Sequence, residues 1–180
     1  SYGGDSTRAG DRRDVEEALD AAAKFGVIVV MAAGNDKSEV AGFFPAKFSP
    51  EGARNLGDVG QRGQSTSPLT VAVSATGIRD AVQNLQDPER FSEGFSNKGK
   101  KISVAAPGQG IVSVGNNGEL YWVQGTSFAA PYVSGLLAQM MFVDRVLQPI
   151  QLPDQITPAD LVPLQKRSLR LIEMMEATAD

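Results

Sequence analysis

Two largely apolar runs restrict the folds open to this chain more than any other feature of its sequence. VIVVMAA occupies residues 27–33, and LTVAVSA occupies residues 69–75. The first run is uninterrupted and rich in β-branched residues, which is typical of strands that a parallel sheet buries on both faces. The second run includes Thr70 and Ser74 but also predicts a buried strand. A helical pattern at residues 11–25 precedes the first run, and Gly26 is well placed to end that helix. This order of helix and strand predicts a layered α/β fold with a parallel sheet.

Weaker signals complete the predicted strands and loops. Residues 101–107 predict a short strand that ends at its proline, and IVSVGNNGELYWV at residues 111–123 predicts a β-hairpin around an Asn-Asn-Gly turn. Residues 34–68 are rich in Gly, Pro and Ser and predict a loop. Residues 76–101 are polar, and we expect them to form a second loop on the surface.

Two helices are predicted in the last third of the chain. Residues 127–143 predict an apolar helix that is central and buried, because few of its positions carry polar side chains. A second helix is expected to begin after Thr157, with Pro158 at its first position and Asp160 completing a capping box. Pro163 lies inside this pattern, so a start near residue 163 is an alternative.

The composition excludes several kinds of site and partner. The 180 residues include no cysteine and no histidine, which excludes disulfides and thiolate zinc sites. A bound metal would need carboxylate and carbonyl ligands, and no metal site or cofactor is evident. The formal net charge of −4 argues against a nucleic-acid or anionic-membrane surface. No stretch approaches about 18 uninterrupted apolar residues. We therefore expect one domain with no nucleic-acid partner and no membrane partner.

The segment GTSFAAPYVSG places a serine where an apolar helix begins. Thr126 and Ser127 lie at that start, where backbone N–H groups and the positive end of the helix dipole favour developing negative charge. This is a suitable position for a nucleophile that attacks a carbonyl carbon. The simpler interpretation of the tripeptide alone is that Thr126 or Ser127 only caps the helix.

The same segment resembles the serine motif of the subtilases, the subtilisin-like serine proteases, which reads G-T-S-x-A-x-P-x-V-S/A-G. Residues 125–135 match it, and Tyr132 stands where many members carry a non-catalytic histidine. The resemblance implies that Ser127 is the nucleophile of a serine endopeptidase acting through an acyl-enzyme. It also implies that Gly125 and Thr126 contact the substrate.

A second block resembles the strand of the subtilases that ends in Ala-Gly-Asn. In VIVVMAAGND the corresponding asparagine is Asn35, and the resemblance implies that its amide donates to the oxyanion, together with the backbone N–H of Ser127. An amide suits this role because it donates a hydrogen bond and stays neutral. Ala33 and Gly34 are implied to line the substrate cleft. By itself, Gly34-Asn35 after a strand would more often be an ordinary turn.

Two further segments extend the resemblance to most of the chain. SYGG is similar to the S-x-G-G of subtilases, where the substrate backbone adds as a strand, which implies that Ser1, Tyr2, Gly3 and Gly4 bind substrate. FSNKGKKISVAAPG, at residues 95–108, resembles the segment that precedes the serine motif.

The resemblance also accounts for the lack of histidine. In subtilases the catalytic Asp and His precede the Ser along the chain, and both precede the S-x-G-G segment. We therefore expect residues 1–180 to be the C-terminal part of a subtilase catalytic domain, with the triad Asp and His upstream of residue 1. The implied fold is the subtilisin-like three-layer α/β fold with a parallel sheet, of which only the C-terminal half is present.

Partners and location follow from the resemblance as expectations. A polypeptide substrate and the N-terminal half of the same catalytic domain are implied as partners. Calcium binding and an extracellular or periplasmic location are implied by the resemblance only. Self-association is expected of the isolated chain, because the strand at residues 27–33 would lose a neighbour and expose unpaired backbone groups.

Two alternatives are open at this point. One is a non-catalytic peptide-binding module derived from a subtilase. The other is the sedolisin family, which has a similar serine motif but uses glutamate and aspartate in place of histidine. Sedolisins carry an aspartate where this chain has Asn35.

Overall fold

One long strand organises the sheet, and the other strands are arranged around it. The computed structural model describes residues 9–59, 67–77, 90–91, 94–151 and 153–179, with residues 9–12 and 90–91 as backbone only. The helices and strands follow one another as α1 (Ala9–Lys24), β1 (Val29–Ala32), β2 (Thr70–Gly77), β3 (Arg90–Phe91), β4 (Val104–Pro107), β5 (Ile111–Val114), β6 (Leu120–Val123), α2 (Thr126–Leu147) and α3 (Pro158–Ala177).

The parallel sheet predicted from the two apolar runs is confirmed. β2 pairs in parallel with β1, where Val29 lies opposite Thr70, and in parallel with β4, where Val73 lies opposite Val104. The end of β2 pairs antiparallel with β3. β5 and β6 form the predicted hairpin as a separate two-stranded sheet. Within the described residues, β1 has β2 as its only strand neighbour.

Side chains of β2 alternate between two hydrophobic clusters, which gives the fold its three layers. Val71, Val73 and Ala75 are buried in a cluster with side chains of α2 and α3. Ala72 points the other way, into a cluster with Leu19 of α1 and with loop residues. The sheet therefore lies between two packed layers, as expected for the three-layer α/β fold.

Helix α2 is buried on one side only, so the prediction of a central, fully buried helix is wrong for these residues. Ala129, Val133 and Leu137 are at most 3% exposed and pack on the sheet. Leu136 and Val143 are 47% and 54% exposed. The apolar composition was interpreted correctly as a signal for burial, but the described residues supply packing partners for one side.

The loops hold more structure than their composition suggests. Three short 3₁₀-helices lie in the first loop, at Val40–Gly42, Ala46–Phe48 and Leu56–Asp58. Val40, Phe44 and Phe48 are buried there in the cluster of Leu19. In the second loop, Phe95, Ser96 and Asn97 are buried, so the prediction of a surface loop over residues 76–101 is wrong for these three. Their polar groups form hydrogen bonds inside the protein, and these bonds compensate for the loss of hydration on burial.

Helix α3 begins at Pro158 and continues through Pro163, so the alternative start near residue 163 is wrong. Its start is held by Asp160, whose Oδ2 accepts from the backbone N–H of Thr157 at 2.8 Å and from the Thr157 hydroxyl at 2.5 Å. Pro163 has no N–H and forgoes one helical hydrogen bond. The predicted capping box is confirmed.

The capping box makes a prediction about ionisation. The pKa of Asp160 is lowered, first by the hydrogen bond from the Thr157 hydroxyl and then by that from the Thr157 backbone. At pH values above the ordinary pKa of an aspartate, the charged Asp160 side chain stabilises α3. This stabilisation is lost as the pH falls through the lowered pKa of Asp160. We expect Thr157→Val to raise the pKa of Asp160, measured by NMR titration of its carboxyl group. Thr178→Val, at the other end of α3, should leave it unchanged; equal values in both variants would contradict this origin of the shift.

A buried arginine joins the first loop to the sheet and to α3. The Arg54 side chain is 3% exposed, and its guanidinium donates to Glu176 Oε1 at 2.5 Å. It also donates to the carbonyl groups of Pro68 and Thr70, at 2.8 and 2.6 Å, and to Ser103 Oγ at 2.8 Å. One side chain thus satisfies four acceptor residues from three separate parts of the chain.

A second ionic contact holds α2 against α3. Asp144 of α2 pairs with Arg167 Nε at 2.7 Å and also with Arg170, both on α3. The side chains of Asp144 and Arg167 are 11% and 13% exposed. This contact fixes which side of the last turns of α2 faces α3.

Candidate active site

The residues that follow β1 meet the first turn of α2. A carboxyl end of a parallel strand and the N-terminus of a helix are both places where ligands commonly bind. Thr126, the first residue of α2, is fully buried and connects the two segments. Its Oγ1 accepts from the backbone N–H of Gly34 at 3.0 Å and donates to Asn35 Oδ1 at 3.1 Å.

The side-chain amide of Asn35 is oriented by these contacts. Its Oδ1 accepts a second hydrogen bond, from the backbone N–H of Thr126 at 2.9 Å. Because Oδ1 is held on the side of Thr126, Nδ2 remains as the donor end of the amide. A Cβ atom placed on Gly125 would lie 3.6 Å from that Nδ2. The donor end therefore lies beside Gly125, two residues before Ser127.

Gly125 and Gly108 allow the backbone before α2 to pack closely. Gly125 has φ = 150° and donates from its N–H to Gly108 O at 2.7 Å. A Cβ atom on Gly108 would lie 2.6 Å from Ala75 Cβ and 2.9 Å from Gly125 O, which is too close for any other residue. Gly108 thus allows the start of α2 to pack against the end of β2.

Ser127 is the second residue of α2 and is half-buried. At this position the positive end of the helix dipole favours negative charge that develops near the side chain. Pro131 follows in the next turn and is accommodated inside the helix. Ser127 therefore lies in a local field that suits a nucleophile forming an anionic tetrahedral intermediate.

Asn97 holds the backbone around Asn35 in place, and no sequence pattern pointed to this role. Its Nδ2 donates to Ala33 O at 2.9 Å, and its Oδ1 accepts from the backbone N–H groups of Asp36 and Ser38 at 2.9 and 3.0 Å. Its own backbone N–H donates to Gly34 O at 3.0 Å. This fully buried amide holds the loop that carries Asn35. No periodicity marks it, and it stands at an unspecified position of the FSNKG segment.

Six of the predicted site residues therefore lie together. They are Ala33, Gly34, Asn35, Gly125, Thr126 and Ser127. Ser1, Tyr2, Gly3 and Gly4 lie outside the described residues, and their role stays a prediction. Where the structure describes the chain, it holds no group of three or more His, Cys, Asp or Glu residues that could bind a metal. Calcium binding also stays a prediction from the resemblance.

Comparison with known proteins points to one family. The sequence model of the subtilase family matches residues 1–159. Alkaline protease 2 of Aspergillus fumigatus is 30% identical over 158 residues, which are 87% of this chain and 26% of that protein. An extracellular protease of Xanthomonas campestris is 30% identical over 165 residues, 88% of this chain and 22% of that protein. The chain spans about a quarter of the length of these relatives.

A solved structure agrees with this match at the level of the fold. The crystal structure of a cold adapted subtilisin-like serine proteinase superposes with a TM-score of 0.56 at 24% sequence identity. The superposition covers 89% of this chain and 43% of that chain. Because the family model matches residues 1–159, most of the 180 residues, the chain belongs to the subtilase family.

Proposed function

We propose that this chain supplies the nucleophile and the oxyanion site of a subtilisin-like serine endopeptidase. The observation that carries the proposal is the pair of hydrogen bonds from Thr126 to Asn35 Oδ1. They hold a neutral amide donor beside the start of the helix on which Ser127 lies. Preorganised donors of this kind stabilise the tetrahedral intermediates of acyl transfer.

The proposed reaction begins with attack of Ser127 Oγ on the carbonyl carbon of a peptide bond. A general base removes the hydroxyl proton, and the 180 residues include no histidine to do so. The base is therefore proposed to come from polypeptide outside these residues, the N-terminal half of the same catalytic domain. Asn35 Nδ2 and the backbone N–H of Ser127 would donate to the oxyanion. Collapse of the tetrahedral intermediate would break the C–N bond, with the base passing its proton to the leaving amine, and water would then hydrolyse the resulting acyl-enzyme.

The substrate is proposed to be a polypeptide that lies along the residues after β1. Ala33 and Gly34 of that segment, with Gly125 and Thr126 before Ser127, are proposed to contact it. Thr126 would act as a positioning residue, since it contacts Asn35 and Gly34 through hydrogen bonds. An extracellular location is proposed because the Xanthomonas campestris relative is named an extracellular protease.

The test is the effect of Asn35→Leu in an active protease that contains this chain together with the rest of a catalytic domain. Loss of the donor is expected to lower kcat by about 10²–10³, the magnitude known from subtilisin, with little change in KM. Thr126→Val should also lower kcat, because it removes the hydroxyl that contacts Asn35. Thr126→Ser, which keeps the hydroxyl, should have a kcat close to that of the unsubstituted protein. A change in KM alone, with kcat intact, would contradict the role of Asn35.

A non-catalytic peptide-binding module derived from a subtilase is the second candidate function. Absence of the catalytic Asp and His blocks from the full-length protein would favour it. It requires that the chain bind polypeptide without turnover, even with the rest of a catalytic domain present. Hydrolysis that Ser127→Ala abolishes would exclude it. The sedolisin alternative is set aside, because the family that matches is the subtilase family.

A further inference from the structure

Asn97 restrains three successive peptide groups that lead up to and follow Asn35. Its Nδ2 donates to Ala33 O at 2.9 Å, its backbone N–H donates to Gly34 O at 3.0 Å, and its Oδ1 accepts from the N–H of Asp36 at 2.9 Å. Each peptide group is planar, so a hydrogen bond to either end restrains the whole plane. One residue therefore restrains the peptide planes on both sides of the Asn35 Cα atom.

The direction of the Asn35 side chain follows from these two planes. The φ and ψ angles of Asn35 relate one plane to the other, and together they set where its Cα–Cβ bond points. Thr126 then fixes the far end of the side chain through the hydrogen bonds to Oδ1. The amide is thus held from two sides, by Asn97 through the main chain and by Thr126 through the side chain.

Asn97 is itself anchored to the long strand of the sheet. It is fully buried, and its carbonyl oxygen accepts from the hydroxyl of Ser74, on β2, at 2.7 Å. The hydroxyl of Ser96 accepts from the backbone N–H of Ala75, also on β2, at 2.9 Å. A functional group is held precisely when the residues that support it are fixed by their own contacts. The orientation of Asn35 is therefore set by β2 as well as by the loop that follows β1.

The contact between Asn97 and this loop leaves little free space. A Cβ atom on Gly34 would lie 2.4 Å from Asn97 Nδ2, and Gly34 has φ = 103°, a conformation that favours glycine. Asn97 Oδ1 also accepts from the N–H of Ser38 at 3.0 Å. Removal of the Asn97 amide would leave these buried loop groups without their partner, so the position of the loop depends on it.

We propose that Asn97 is a positioning residue for the oxyanion donor and sets kcat through Asn35. The inference rests on the proposed function, because it explains how the proposed donor is held. Oxyanion stabilisation depends on donors that are oriented in advance, and a displacement of about 1 Å can lower a rate about 10²-fold. A purely structural role would instead lower stability and leave the rate of the folded protein unchanged.

Hydrogen exchange in the 180-residue chain tests the positioning without an assay of activity. The reporter is the backbone N–H of Thr126, which donates to Asn35 Oδ1 and not to Asn97. Asn97→Ala removes the side-chain hydrogen bonds, and Asn97→Asp keeps the shape and an acceptor oxygen but lacks the donor to Ala33 O. Both variants should exchange this N–H about tenfold or more faster, relative to the amides of β2.

Thr70→Val is the matched control for the loss of buried hydrogen bonds. Thr70 is buried, and its hydroxyl donates to Phe48 O and Ser67 O at 3.1 and 2.7 Å. It lies opposite Val29, at the start of β1, whereas the loop with Asn35 follows the end of that strand. The control should leave both the relative exchange of the reporter and kcat unchanged.

Kinetics test the effect on rate in an active protease that contains this chain together with the rest of a catalytic domain. Asn97→Ala is expected to lower kcat by about 10- to 100-fold with little change in KM, and Asn97→Asp should change kcat in the same direction. Because Asn97 acts through Asn35, adding Asn97→Ala to Asn35→Leu should cause no further loss of kcat. Circular dichroism verifies that each variant is folded at the assay temperature.

A further loss of kcat in the double variant would overturn the proposal, and so would equal losses in Asn97→Ala and Thr70→Val. Unchanged exchange of the Thr126 N–H in both Asn97 variants would also overturn it. If Asn35→Leu still lowered kcat in that case, the proposed function would stand without this inference. Faster exchange, together with an undiminished kcat in Asn35→Leu, would contradict the proposed function and leave the positioning of Asn35 by Asn97 standing.

Discussion

The 180-residue chain, assayed alone, is expected to hydrolyse peptide bonds no faster than its Ser127→Ala variant. A serine hydroxyl is a weak nucleophile until a base accepts its proton, and this chain has no histidine. In subtilisin, loss of the histidine base alone lowers kcat about as much as loss of the whole triad, by about 2 × 10⁶. The helix dipole and the Asn35 amide remain, but neither accepts a proton.

The measurement is turnover of a chromogenic peptide by the isolated chain and by the chain combined with the remainder of a catalytic domain. Ser134→Ala is the matched control, because Ser134 is exposed on α2 and donates to Ala130 O of its own helix. Combination should raise turnover of the unsubstituted chain and of Ser134→Ala, but not of Ser127→Ala. Turnover by the isolated chain that Ser127→Ala removes would contradict the prediction.

Arg54→Met is expected to lower the free energy of unfolding by about 3–5 kcal/mol. The substitution leaves Glu176 without its buried cation and removes the donors to the carbonyl groups of Pro68 and Thr70. Uncompensated groups of this kind account for the largest effects of single substitutions. Arg54→Lys should recover only part of the loss, because an ammonium group cannot reproduce the forked set of hydrogen bonds.

Urea denaturation of the isolated chain measures this effect. Arg145→Met is the control, because Arg145 is exposed on α2; it should change the free energy of unfolding by less than about 0.5 kcal/mol. Similar urea midpoints for Arg54→Met and Arg145→Met would show that the hydrogen bonds of Arg54 make no net contribution to the free energy of unfolding.

The elements that rest on local pattern could be predicted from the sequence. The two apolar runs became β1 and β2, the Asn-Asn-Gly turn became the β5–β6 hairpin, and Thr157 with Asp160 capped α3. These signals depend on residues close together in the chain, where hydrophobic spacing and turn chemistry decide the conformation. The closeness of Asn35 and Ser127 was expected from the resemblance, since no local rule joins them.

What the sequence did not reveal depends on contacts between distant residues. Asn97 and Arg54 are polar residues in loops, and polarity in a loop predicts exposure. Their burial is stable because each finds several partners, such as Ala33 O for Asn97 and Glu176 for Arg54. The exposure of Leu136 was missed for the opposite reason: an apolar helix predicts burial without specifying which polypeptide covers it.

The hydrogen bond between Thr126 and Asn35 joins residues 91 positions apart, and this separation affects when the site can form during synthesis. Ribosomes add roughly 5–20 residues per second, and the chain emerges from its N-terminal end. Asn35 and the loop around it are therefore made several seconds before Thr126 exists to orient the amide. Until α2 has emerged and docked, the proposed oxyanion donor is not oriented beside Ser127. A nascent chain would thus carry Asn35 for several seconds before α2 could orient its amide beside Ser127.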